Sequence, residues 1–249
     1  MFSLNGKIAI VTGANTGLGQ GMALALAQAG ADILALGRTP ATQTQDEINK
    51  IGRACHLLPL DLSDRQAVQE IIPKIYDTVP HIDILVNNAG IIKRNDALDF
   101  TGDDWDTVLD VNLRATFFLA QGIAKKMVEA KRPGKIINVA SMLSYQGGIR
   151  VASYTASKSG VMGLTRLLAN EWAPKGINVN AIAPGYFATN NTAALQADEK
   201  RNSEILGRIP AGHWGRPEDL GGAAVFLASQ ASDYVHGITL PVDGGWLSR

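Results

Sequence analysis

The chain has 249 residues, equal numbers of acidic and basic side chains, and 46% hydrophobic residues. That composition supports a sizeable core and excludes a disordered chain. Zero formal net charge, with basic residues scattered, gives no footprint for nucleic acid or an anionic membrane. The single cysteine, Cys55, excludes an internal disulfide and fits a reducing compartment. It has no ligand spacing for a metal and reads as a buried structural thiol. No uninterrupted apolar run is long enough to span a bilayer. The start "MFSLNGK" lacks the pattern of a signal peptide, so a cytoplasmic protein is expected.

Short apolar runs alternate with helical patterns along the whole chain. "KIAIVTG" (7–13) reads as a strand, followed by a helix over 17–30 that Gly30 closes. A strand over 32–37, a polar helix over 42–51 and a strand over 54–60 come next. A helix over 64–77 and the strand "IDILVNN" (82–88) follow. A long helix is expected from about 103 to 130, with Thr101 as a possible N-cap. "KIINVAS" (135–141), a helix carrying Tyr154 and Lys158, and "GINVNAIA" (176–183) complete the middle. Strands apolar on both faces belong in a buried parallel sheet, and alternation with helices predicts an α/β, doubly wound Rossmann-type fold. No linker or repeat interrupts it, so one domain over 1–249 is expected. The polar segment 190–216 precedes a helix starting near Pro217 and has the character of an active-site lid.

"TGANTGLG" (12–19) lies between the first strand and its helix. Gly13, Gly17 and Gly19 permit a tight turn and close approach of a phosphate, with Asn15, Thr16 and Leu18 in the same loop. The following helix offers free N–H groups and its positive end. The spacing differs from Gly-x-Gly-x-x-Gly, and the position in the first βα unit is what favours a dinucleotide. Asp61, in "LPLDLSD" with Leu62, could accept a hydrogen bond from an adenine amino group; capping the next helix is the plain alternative, which Ser63 would serve as well. Asn88, Ala89 and Gly90, in "NNAG", end the fourth strand at the same edge, where Asn87 could tie strand ends together.

Tyr154 and Lys158 stand four apart and share a helix face. A phenol is a poor acid at neutral pH, and a nearby cation lowers its pKa. Ser141 closes the fifth strand at the same sheet edge. Asn112 in "DVNLRA" is costly in an apolar helix unless its amide is satisfied. Together these residues supply what hydride transfer to a carbonyl needs. Ser141 polarises the oxygen, Tyr154 delivers the proton, Lys158 lowers the phenol pKa and holds a ribose, and Asn112 carries a water to Lys158.

In order and spacing, the glycine turn, "NNAG", Asn112, Ser141, "YTASK" and the Pro184-Gly185 pair resemble the short-chain dehydrogenase/reductase family over essentially the whole chain. The resemblance implies a sheet of about seven strands and a homotetramer, with the tail "ITLPVDGGWLSR" as last strand and interface. It places Pro184 and Gly185 beside the nicotinamide and lets Thr189 bond its carboxamide. Longer strings, such as "IDILVNNAGIIKRNDALDF" and "APGYFATNNT", resemble a subgroup that handles deoxy keto sugar acids in pectin breakdown. The implied substrate is of the 2-deoxy-D-gluconate or 2-dehydro-3-deoxy-D-gluconate type. A reductase of another carbonyl, such as an acyl thioester or ketone, is the alternative. A non-catalytic dinucleotide sensor is a third reading, disfavoured by the complete Ser-Tyr-Lys-Asn set.

The second strand ends in Gly37 and Arg38, with no acid to bond a ribose hydroxyl. Arg38 permits NADP, whereas the subgroup resemblance implies NAD, and both are expected to bind. A sugar acid also needs a partner for its carboxylate. Arg150, four residues before Tyr154, is the first candidate and Arg94 the second. Asn190 and His213 on the lid, with Gln146 and Tyr186, are further candidates for substrate contact.

Overall fold

A computed structural model describes residues 1–249. Seven parallel strands form one sheet in the order β3-β2-β1-β4-β5-β6-β7. They are β1 (Ile8–Thr12), β2 (Asp32–Gly37), β3 (Cys55–Pro59), β4 (Ile84–Asn87), β5 (Gly134–Val139), β6 (Ile177–Pro184) and β7 (Thr239–Val242). The first helices are α1 (Gly17–Gln28), α2 (Thr42–Lys50), α3 (Arg65–Thr78), α4 (Gly102–Leu109) and α5 (Ala115–Glu129). Then come α6 (Ala152–Trp172), α7 (Ala193–Ala197), α8 (Glu199–Leu206) and α9 (Gly221–Ala228). The doubly wound α/β fold expected from the alternation is the observed one.

Side chains alternate between two cores because successive strand residues point to opposite faces. Ala9, Val11, Ile33 and Ala35 join the core under α1 and α9. Ile8, Ile10, Leu34 and Leu36 join the other, against α3, α5 and α6. Both faces are covered, so these strands read as continuous apolar runs rather than alternating ones. Cys55 is buried in the first core, and burial pushes its thiol up to about 11, which makes it unreactive.

The winding reverses at β1, whose neighbours are β2 and β4. Ligand crevices in open α/β sheets lie beyond the carboxyl ends at such a reversal. Buried amides fix the strands next to it. Asn87 on β4 pairs in register with Asn138 on β5 and donates to its Oδ1 over 3.0 Å. Asn138 in turn donates to Thr165 on α6 over 3.0 Å. Asn87 is therefore a strand tie.

The expected helix over 103–130 is not continuous. Thr101 does cap α4, accepting from Asp104 N over 3.2 Å, but a π-turn over Asp110–Arg114 separates α4 from α5. The Asn112 side chain explains it. Its Oδ1 accepts from Ile91 N and its Nδ2 donates to Ile91 O, both over 2.9 Å. Widening the helix lets this amide serve a neighbouring loop. Such turns collect at functional sites. Near Pro217 the chain first forms a 3₁₀ turn, Pro217–Leu220, and α9 follows it. The helix after β3 is capped by Asp64, which accepts from Gln66 N and Ala67 N; neither Asp61 nor Ser63 does this.

The buried amide chain generates a stability prediction. Asn138→Ala leaves the buried Asn87 and Thr165 each short of a partner. It should cost ~1–3 kcal/mol in urea unfolding. An unchanged midpoint would mean the amides find equivalent partners elsewhere.

Candidate active site

A cavity of about 720 Å³ opens along the carboxyl edge of the sheet, a size suited to a small-molecule ligand. One end is the turn after β1. Gly13 and Gly17 have φ of +67° and +57°, the left-handed region where a side chain is strained. A Cβ at Gly19 would lie 2.2 Å from the Gly13 carbonyl oxygen, so only glycine lets α1 start this close to the strand. Thr16 is the N-cap of α1, yet its side chain makes no capping bond, which leaves the first N–H groups facing the cavity mouth. Asn15, Thr16, Leu18, Asp61 and Leu62 line the same end. Arg38 lies there with its side chain 81% exposed and Nη1 3.9 Å from Asp61. The Ser63 hydroxyl and then its backbone N–H hold the Asp61 carboxyl below its ordinary value, with a smaller pull from Arg38.

This end fits a dinucleotide. Free helix N–H groups and a cradle that any Cβ would fill are what a diphosphate requires. The cradle also touches the other side of the site. A Cβ at Gly17 would lie 3.5 Å from Cγ2 of Thr189, so the segment after β6 borders the glycine turn.

Thr12 joins β1 to β4. Its hydroxyl accepts from Asn88 N and Ala89 N, each over 2.9 Å, and Asn88 Nδ2 donates to Thr12 O over 2.9 Å. This brings Asn88, Ala89 and Gly90 to the cavity wall, with Pro184, Gly185, Tyr186, Thr189 and Asn190 opposite.

The other end holds Ser141, Tyr154, Lys158 and Arg94. Ser141 lies two residues beyond β5, where it caps a 3₁₀ turn and accepts from Leu143 N over 3.1 Å. Its hydroxyl also faces the Tyr154 phenol. Lys158 is 3% exposed, and its Nζ donates to Val139 O over 2.6 Å. Burial pulls its ammonium down to about 8. The Nζ is 5.7 Å from the centre of the Tyr154 ring. Asn112 sits behind this wall. A Cβ at Gly90 would be 3.2 Å from Asn112 Oδ1 and 3.6 Å from Lys158 Nζ, so both groups flank that glycine. Asn112 Nδ2 also reaches Ser157 over 3.2 Å.

The direction of the tyrosine shift corrects a sequence expectation. The Tyr154 phenol is pushed above its ordinary value, not below it. Burial is the main cause; the Ser141 hydroxyl and then the charge of Arg94 pull back. Lys158 was expected to supply that pull. It is itself desolvated, which weakens its hold on its own charge.

Three candidate substrate residues fall outside the cavity lining. Arg150 has φ of +63°, and this left-handed turn carries its side chain to Asp96, where Nε is 3.1 Å from Oδ1. Its carbonyl accepts from Asn95 N, so both ends of the residue stitch the loop to its neighbour. Gln146 accepts from Arg208 and from Trp246 Nε1, which uses its Oε1 in a structural tie. His213 is exposed and lies against the Trp214 carbonyl. Arg94, by contrast, lines the cavity and reaches Asn191 O over 3.5 Å.

The site also contains a residue that sequence reasoning missed. Arg201, on α8, lines the cavity. In the polar string "DEKRNSE" it resembles any solvated helix charge, and only the fold turns it inward. Met142, Leu143, Ile149 and Leu195 add an apolar wall with no local sequence signature.

A family model described as enoyl-(acyl carrier protein) reductase matches residues 13–247. The chain belongs to the short-chain dehydrogenase/reductase family. It is therefore an oxidoreductase. It is 59% identical to the 2-dehydro-3-deoxy-D-gluconate 5-dehydrogenase of Escherichia coli (strain K12), covering 100% of this chain and 98% of that protein. Its structure is similar to that of a proposed 2-deoxy-D-gluconate 3-dehydrogenase from Agrobacterium tumefaciens with bound NADP. The TM-score is 0.95 and the identity 58%, over 100% of this chain and 99% of that one. A gluconate 5-dehydrogenase from Burkholderia cenocepacia in complex with NADP and tartrate has a TM-score of 0.94 and 39% identity. That match covers 100% of this chain and 98% of the other.

The depressed lysine sets a pH window. Lys158 titrates near 8 in the folded chain, against an ordinary 10.5. Between those values the unfolded chain binds more protons, so the lysine's contribution to stability rises with pH across the window. In urea titrations of the cofactor-free protein, wild type should gain on Lys158→Met as pH rises from about 8 to 10.5. A difference that stays flat would mean the ammonium is well solvated.

Proposed function

We propose that this protein interconverts a keto and a hydroxy group on a deoxy sugar acid of the 2-dehydro-3-deoxy-D-gluconate type, using NADP or NAD. The charge pattern of the cavity carries this reading. Arg94, Lys158 and Arg201 line the substrate end, while the one lining acid, Asp61, lies at the adenosine end beside Arg38. A pocket end lined by three cations and no acid favours an anion. An acyl thioester or neutral ketone offers none at that place. The sugar-acid relatives support the same reading.

When bound, the nicotinamide supplies or accepts the hydride. The chain's own groups handle the oxygen and its proton. The Ser141 hydroxyl, beside Tyr154, polarises the carbonyl oxygen. Tyr154, protonated at neutral pH as any phenol near its ordinary value or above it is, delivers the proton during reduction. Lys158 spends one N–H on Val139 O and turns the others toward the ribose. Asn112 spends its amide on Ile91 and Ser157, and its remaining lone pair beside Gly90 is where a water toward Lys158 would be held. Arg94 takes the role first given to Arg150, because it reaches the cavity and acts electrostatically on Tyr154. Thr189, beside the glycine turn, serves the carboxamide.

The chain works as one dinucleotide-binding and catalytic domain over 1–249, with 190–216 as its lid. A cytoplasmic homotetramer acting on pectin-derived sugar acids completes the reading, on the strength of the family likeness.

The test is consumption of NADPH or NADH at 340 nm with the keto sugar acid and with its neutral 1-carboxamide. The acid should be clearly preferred; equal turnover overturns the sugar-acid reading. Tyr154→Phe should lower kcat ~100-fold or more and leave cofactor affinity nearly unchanged. A variant that keeps most of its kcat would show that the proton comes from elsewhere. Arg38→Asp should shift the NAD-to-NADP ratio of kcat/KM toward NAD by about 10-fold, the worth of one charged hydrogen bond. If that ratio stays put, Arg38 does not reach the adenosine ribose.

A further inference from the structure

Arg201 stands apart from the other cations of the site because it comes from segment 190–216 and not from the sheet edge. It is the third residue of α8, whose N-terminus Asp198 caps by accepting from Arg201 N over 3.0 Å. Its side chain lines the cavity yet is held by one contact alone, Nη1 to Glu204 Oε2 over 3.0 Å. Both side chains are about half exposed, at 50% and 48%. Exposed pairs of this kind contribute little and exchange readily. A carboxylate inside the cavity would be drier and could engage the guanidinium with both oxygens.

The rest of α8 is firmly seated. Ile205 packs with Met142, Ile209 and Trp246 in a small cluster of its own. Arg249 donates to Gly207 O over 2.7 Å, and Trp214 Nε1 donates to Asn202 Oδ1 over 2.8 Å. The helix is thus a stiff arm that presents Arg201 to the cavity. From the opposite wall, Arg94 touches Asn191 in the same segment over a long 3.5 Å.

We propose that Arg201 exchanges Glu204 for the carboxylate of the substrate, so that the anion is held between Arg201 and Arg94. This rests on the sugar-acid reading above. Arg201 is then a specificity residue: it favours an anionic substrate over a neutral analogue of the same shape.

Three variants with two substrates test this, in full-length protein with NADPH. For the keto sugar acid, Arg201→Met should lower kcat/KM by ~10-fold or more, mainly through KM. For the neutral carboxamide the same variant should stay close to wild type. Arg201→Lys should recover part of the loss, since it keeps the charge but not the fork. Glu204→Gln removes the competing anion and should lower KM for the acid by up to ~5-fold. Equal losses on acid and carboxamide would overturn the proposal, because Arg201 would then only support α8. So would a rise in KM in Glu204→Gln, because Glu204 would then be aiming Arg201 rather than competing for it. A wild type with no preference for the acid overturns the sugar-acid reading itself. A preference that survives Arg201→Met overturns only the role of Arg201.

Discussion

The Thr12 hydroxyl is the point on which the site depends. It takes the N–H groups of Asn88 and Ala89 and so pins the end of β4 to the end of β1, where the winding of the sheet reverses. On one side of this pin the chain enters the glycine turn. On the other it passes Gly90, which Asn112 and Lys158 flank. Were the two strand ends to separate, the crevice would lose the fixed distance between the diphosphate cradle and the proton-handling groups. Parallel strands have no hairpins to hold their ends, so side chains must do it. Asn87, Asn138 and Thr165 repeat the device one strand further along.

Those ties place polar groups in the interior, and the same burial sets the proton chemistry. Tyr154 is pushed up and Lys158 down by one cause, the loss of water. Each shift moves its group toward the neutral form. The phenol keeps its proton for delivery, and the ammonium sits near the pH where it can respond to a neighbour. Burial thus keeps the phenol protonated and leaves the opposite pull to the Ser141 hydroxyl and the charge of Arg94.

Much of this was legible in the chain. Period-two burial on two faces gives continuous apolar runs, and these marked the strands closely; Asp32–Gly37 matches residue for residue. Turn glycines announce themselves because few other residues tolerate such backbone. The Tyr154 and Lys158 pair was visible because helical spacing is a local property. What failed was long-range. The π-turn at Asn112 depends on Ile91, twenty-one residues away. The choice between Arg94 and Arg150 depends on a left-handed residue and on Asp96, which together turn Arg150 outward. Arg201 was hidden because its partner, Glu204, is the one a solvated helix would also supply. Sequence spacing locates a side chain along an element, and the direction it faces is a tertiary fact.

The two ends of the cavity face anions in different ways. At the glycine turn the counter-charge is backbone, fixed N–H groups and a helix end that lose little entropy on binding. At the far end it is side chains, two arginines and a lysine with no acid of the lining nearby. Backbone suits a diphosphate, whose shape is the same in every dinucleotide, whereas long cations on separate elements suit the carboxylate proposed for the substrate. Under the reading proposed above, a carboxylate between the two arginines would balance their charge more fully than the exposed Glu204 does. Arg94 follows β4 and Arg201 stands on α8, so the two cations come from separate elements, and Arg94 also reaches Asn191 O ahead of α8. Placing the two cations on separate elements lets substrate choice vary without disturbing the glycine turn, because neither arginine belongs to it.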